Sequence, residues 1–138
     1  ELDGALGGVV FTSPAWFNGT VYYGAVGDRI RAFTVNNALL PSQPTATTNN
    51  FFEYPGTTPS ISANGTSDAI LWAVENTNPA VLHAYDATNL SIELYNSNQA
   101  NSGRDLFGAG NKYITPAIAD GRVIVGGMNS IAAFGLLR

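Results

Sequence analysis

One motif occurs three times in these 138 residues, and that repetition narrows the choice of fold more than any other property. The run Ser13-Pro14-Ala15-Trp16-Phe17-Asn18-Gly19-Thr20-Val21-Tyr22-Tyr23-Gly24 aligns without a gap on Thr115-Pro116-Ala117-Ile118-Ala119-Asp120-Gly121-Arg122-Val123-Ile124-Val125-Gly126. A middle copy, Thr58-Pro59-Ser60-Ile61-Ser62-Ala63-Asn64-Gly65, reaches Ile70-Leu71-Trp72-Ala73 after a short insertion. Each copy is followed by a matched segment: Ile30-Arg31-Ala32-Phe33, Leu82-His83-Ala84-Tyr85 and Ile131-Ala132-Ala133-Phe134. Pro14, Pro59 and Pro116 lie 45 and 57 residues apart.

The motif reads as strand, turn, strand, strand. A Ser/Thr-Pro step opens a first strand, where the missing N–H costs no ladder bond. Asn-Gly or Asp-Gly then supplies the positive φ angles of a tight hairpin. The second strand is apolar and ends in a small residue, Gly24, Ala73 or Gly126. A third strand carries an alanine followed by an aromatic ring. Sustained helical spacing is lacking, and 15 glycines and 7 prolines interrupt every long window. Such a unit cannot bury its faces alone and must stack on copies of itself. The predicted fold is all-β: about three four-stranded antiparallel blades of a β-propeller.

The strand count sharpens this reading. Residues 12–17, 20–25, 29–35 and a strand within 45–52 make a first blade (12–57). Residues 59–63, 69–75, 80–86 and 90–96 make a second (58–114). Residues 116–119, 122–127 and 130–136 give a third (115–138) only three strands. Residues 1–11 are expected as the outer strand of a preceding blade. Propellers close with about four to eight blades. The unit is therefore expected to be part of a larger propeller, or to be completed by a second copy of itself.

The run Thr-Pro-x-Ile-x-Asp-Gly-Arg-Val-x-Val-Gly followed by Ala-Phe resembles the repeat of pyrroloquinoline-quinone-like (PQQ-like) β-propellers. The ending, Ile131 to Leu137, is similar to the C-terminal end of secreted bacterial proteins of that group. The resemblance implies a secreted or periplasmic location. It departs from the repeat at Asp86-Ala87-Thr88-Asn89, which keeps only part of a turn, and at Leu94-Tyr95, where the family places a tryptophan. Quinone enzymes of this kind stack the cofactor between a tryptophan and a vicinal-cysteine ring, and hold calcium with Glu, Asn and Asp. Cysteine is absent, and Trp16 and Trp72 fall at ordinary strand positions. Quinone and calcium are accordingly disfavoured, and no cofactor is expected.

Composition limits the remaining classes. A net charge of −4 and a pI near 4.6 argue against a nucleic-acid partner, and no apolar run approaches the roughly 20 residues of a membrane span. Zero cysteines exclude disulfides and a thiol nucleophile. His83 is the lone histidine. Strand alternation puts it opposite Asp86, which spoils a dyad, so it reads as a side chain filling a sheet face. No catalytic residue and no metal site is assigned. The loops at one end of the blades supply the candidate ligand residues: Asp28, Arg29, Glu75, Asn76, Arg104, Lys112, Tyr113 and Asn129. Asp28 and Arg29 also read as a simple exposed ion pair. The expected function is a non-catalytic module that binds a protein or polysaccharide or scaffolds an assembly. The alternative is the C-terminal part of a quinone-dependent oxidoreductase or carbohydrate-active enzyme whose catalytic residues lie mostly elsewhere.

Overall fold

A computed structural model describes residues 1–136; the last two residues of the predicted third blade, 137 and 138, lie outside the described residues. The chain is all-β. Its first sheet has strands β1 (Ala15–Phe17), β2 (Thr20–Gly24), β3 (Ile30–Thr34) and β4 (Ala46–Thr47), in that order. The second has β5 (Ser60–Asn64), β6 (Ser67–Glu75), β7 (Val81–Asp86) and β8 (Glu93–Asn96), and the third has β9 (Ala117–Ala119), β10 (Arg122–Gly126) and β11 (Ile131–Phe134). All neighbouring strands pair antiparallel. These are three propeller-like blades of four, four and three strands.

The turns show why the sequence folds this way. Asn18 and Gly19 (φ 42° and 80°) and Asp120 and Gly121 (φ 50° and 68°) both take the left-handed region that a two-residue hairpin needs. In the middle blade the inserted residues shift the pairing register between Ser62 and Asn64, and Asp68 takes φ 53°. The second turn of the motif is thereby accommodated as a bulge.

Blades stack face to face through two cores. Tyr22, Ile30, Ala32 and Phe52 of blade one meet Leu71, Ala73 and Tyr85 of blade two. Val74, Leu82 and Phe107 meet Val123 and Val125 of blade three. The first strands, β1, β5 and β9, lie against one another in succession, so the blades converge on one side. The expected small residue at the end of strand two has a steric reason. A Cβ on Gly24 would stand 2.4 Å from the Thr57 carbonyl oxygen. Hydrogen bonds tie the blades as well: the buried Tyr22 hydroxyl donates to Ala87 O (2.8 Å), and the half-buried Ser60 Oγ to Pro116 O (2.6 Å).

One expectation is corrected. Residues 1–11 form no strand and run as an irregular strap across blade one. Gly7 N donates to Asp28 Oδ2 (2.7 Å), Val26 N to Val9 O (3.0 Å) and Arg31 Nη1 to Ala5 O (3.3 Å). Between strap and sheet a small cavity touches Leu6, Tyr23 and Phe33, and Phe33 is buried there. The fourth strand expected within 45–52 is Ala46–Thr47, and the chain beyond it is held by a bridge from Phe52 to Asp28.

Candidate functional site

An antiparallel blade puts the segment leading into its first strand at the same end as the loop between strands two and three. At that end the repeat exposes one aromatic ring per blade. Phe11, Tyr54 and Tyr113 each precede a first strand, and they are 52%, 47% and 55% exposed. The rings form a row. Phe11 and Tyr54 meet edge to face with centroids 5.9 Å apart. Lys112 Nζ lies 5.1 Å from the centre of the Tyr54 ring, and the neighbouring Tyr54 phenol pushes the Tyr113 phenol above its usual pKa. Asn76, from the β6–β7 loop, donates through Nδ2 to Tyr54 O (3.2 Å).

Gly110 allows this assembly. A Cβ there would stand 2.6 Å from Asn76 Oδ1 and 3.1 Å from Thr77 N, so the loop carrying Lys112 and Tyr113 can cross Asn76 only without a side chain. Three of the predicted residues, Asn76, Lys112 and Tyr113, are thus brought together. The ring that joins them, Tyr54, and its neighbour Phe11 were not singled out from the sequence.

The other predicted residues make no side-chain hydrogen bond to the row among the described residues. Asp28 is buried, and it is not an exposed partner of Arg29. Its carboxylate takes two bonds from Arg31, Nε to Oδ2 at 2.7 Å and Nη2 to Oδ1 at 3.0 Å. Burial would raise the Asp28 pKa, but the bonds from Arg31 and from the Gly7 and Arg29 amides outweigh it and hold the group below its usual range. Arg29 instead donates through Nη1 to Thr48 O and Asn49 O (3.0 and 2.9 Å), its guanidinium over the Phe51 ring. Asn129 is exposed in the β10–β11 turn.

Glu75 turns inward to His83. The histidine is buried between blades one and two, stacked on Tyr85 and edge-on to Phe52. Its Nδ1 lies 2.6 Å from Glu93 Oε1 and its Nε2 3.2 Å from Glu75 Oε2. Tyr85 donates to Asn50 Oδ1, and burial, reinforced by Glu93, raises its pKa. Asp86 points to the other face and binds Thr88. Sequence alternation separated His83 from Asp86 correctly, but the two glutamates come from flanking strands and carry no sequence signal.

Arg104 sits apart from the aromatic row, in the groove between blades two and three. It grips Asp105 with two bonds, Nε to Oδ1 (2.7 Å) and Nη2 to Oδ2 (2.8 Å), and Tyr95 also donates to that carboxylate. The bonds from Arg104, then Tyr95, lower the Asp105 pKa to about 2. Among the described residues no group of three or more His, Cys, Asp or Glu is placed to hold a metal ion, and no helix is long and apolar enough to cross a membrane.

Compared with known proteins, the chain matches no family model, no curated protein and no solved structure. Rings held in a row, with an ammonium and an amide beside them, offer stacking and hydrogen bonding.

Proposed function

We propose that this chain is a non-catalytic propeller module, secreted or periplasmic, that binds a polysaccharide across its aromatic row. The observation that carries this reading is the repeat of an exposed ring at all three blade entrances, Phe11, Tyr54 and Tyr113. Leaving three large rings in water at adjoining positions runs against burial, and contiguous exposed apolar surface marks interaction sites. Sugar rings present flat C–H faces for stacking and hydroxyls for Lys112 and Asn76, and a row suits a linear chain better than a compact ligand.

Glycan-array screening followed by calorimetry tests the reading. Tyr54→Ala or Tyr113→Ala should weaken the selected glycan about tenfold or more, as truncation of a central aromatic does. Trp16→Ala removes an exposed ring outside the row and should leave binding intact. An array without a binder, or a binder indifferent to Tyr54, overturns the proposal.

A second feature favours an assembly role alongside binding. Ile30, Leu82 and Ile131 occupy one position of the repeat, yet the first two are 0% exposed and the third is 83% exposed. Blades one and two each have a neighbour on that side. On blade three the same face, with Ala117, Ile124 and Ala133, meets none among the described residues. Further blades or a second copy would cover it. A solution mass that is a multiple of 14.5 kDa supports the second copy, and a soluble monomer removes it.

A further inference from the structure

The repeat also aligns Arg31, His83 and Ala132, on the opposite face of strand three from the isoleucine position. In blade one this site is filled by the Arg31 guanidinium, clamped to Asp28. In blade two it is filled by His83 between Glu75 and Glu93. In blade three the alanine fills nothing, and no fourth strand stands beside β11 among the described residues. What results is a cavity of about 700 Å³ between blades two and three, within the range of about 300–1,000 Å³ of small-molecule sites.

Its walls have two characters. Trp72, Phe107, Val123 and Phe134 make an apolar interior continuous with the core between the blades. The Trp72 indole N–H is satisfied by Ser62 Oγ (2.9 Å), so it asks nothing of an occupant. The polar wall holds Tyr95, Arg104, Asp105 and Arg122. Asp105 is saturated by Arg104 and Tyr95, whereas Arg104 Nη1 donates to no group among the described residues. Arg122 shares its charge with Asp120, which stands out in solvent. A chain of net charge −4 has six basic residues, and two of them line this one cavity. Against Asp105, the two arginines leave the cavity lining with one positive charge in excess.

We propose that the cavity binds a small amphipathic anion, an alkyl or aryl body carrying one carboxylate. The body lies between Trp72 and Phe134, and the carboxylate meets the arginines, where charge-assisted bonds are strongest. The rival occupant is a polypeptide strand added along β11, in the place that β4 and β8 take in the other blades.

The test uses the full chain with decanoate, decanol and decyltrimethylammonium, each below its micelle concentration, read by calorimetry and tryptophan emission. Decanoate should bind at one site per chain, about tenfold tighter than decanol, and the ammonium should not bind. Ala132→Phe, which plugs the cavity, should abolish binding, and Arg104→Gln with Arg122→Gln should bring decanoate down to the affinity of decanol. If circular dichroism shows that Ala132→Phe does not fold, the double arginine variant, altered only at exposed side chains, decides alone. No saturable decanoate binding, unchanged binding in the plugged variant, or equal affinity for all three amphiphiles overturns the proposal. A dimer that excludes decanoate gives the cavity to a polypeptide strand and overturns it too.

Discussion

Truncating one repeat position in each blade separates what the motif dictates from what the neighbouring blade supplies. Ile30→Ala, Leu82→Ala and Ile131→Ala each remove three carbons at aligned sites, the first two fully buried and the third largely in water. At roughly 0.8 kcal/mol per buried carbon, Ile30→Ala loses about 2.4 kcal/mol of transfer free energy. The void left between Tyr22 and Leu71 adds a further penalty, so about 3–4 kcal/mol is expected for Ile30, and a similar cost for Leu82. Ile131→Ala gives up only the small part of its surface that is covered, and should change stability by less than about 0.5 kcal/mol. Urea unfolding followed by circular dichroism, at a concentration where the chain is monomeric, reads all three from shifts in midpoint at constant slope. A cost at Ile131 above about 1.5 kcal/mol would refute the reasoning, because the third blade's outer face would then be packed in the isolated chain.

Two more outcomes follow from the packing. Asp28→Asn breaks the clamp on Arg31 and should cost about 2–3 kcal/mol, less than a wholly buried pair because Arg31 keeps some access to water. Since the folded-state pKa of Asp28 is depressed, its contribution is complete above the carboxylate's ordinary range and is lost as pH falls through the folded value. Acid titration of stability should therefore be shallower in Asp28→Asn, and an unchanged acid limb would contradict the pairing. Gly24→Ala drives a Cβ to 2.4 Å from Thr57 O and should lower the melting temperature by several degrees, whereas Gly126→Ala meets only Ile114 Cδ1 at 3.4 Å and should be nearly silent by calorimetric scanning.

Nearly every strand was legible because the repeat and the period of two act together. Val21 and Tyr23, or Leu71 and Ala73, declare their face by alternation, and Asn18-Gly19 and Asp120-Gly121 declare their turns by φ. The strap of residues 1–11 was not legible because it aligns with no other segment. Its course is set by the buried Asp28 carboxylate and the Val26 amide, which are contacts at long range. The aromatic row was half legible. Phe11 and Tyr113 each stand three residues before their proline, but Tyr54 stands five before Pro59, and that offset hides it from an ungapped alignment. Arg104 stands apart from the row because the connection after β8 carries 3-10 turns that the connection after β4 lacks, so nothing in the motif tells it to turn toward Tyr95.

A repeat fixes which way a side chain points, while the neighbour across from it fixes what that direction is worth. Ile30 and Ile131 are the same residue at the same position and end at opposite extremes of exposure. Arg31, His83 and Ala132 share a position and meet three different environments: a buried aspartate, a pair of glutamates and open space. The third blade thus presents two unfilled surfaces of unlike shape. Its outer face, with Ala117, Ile124, Ile131 and Ala133, is apolar apart from Arg122 at its edge, a surface that another sheet can cover. The cavity on its inner face is concave and bordered by Arg104 and Arg122, a shape that a flat sheet would not fill. One partner cannot satisfy both, so assembly through the outer face and ligand capture behind Ala132 are separable properties of the same blade.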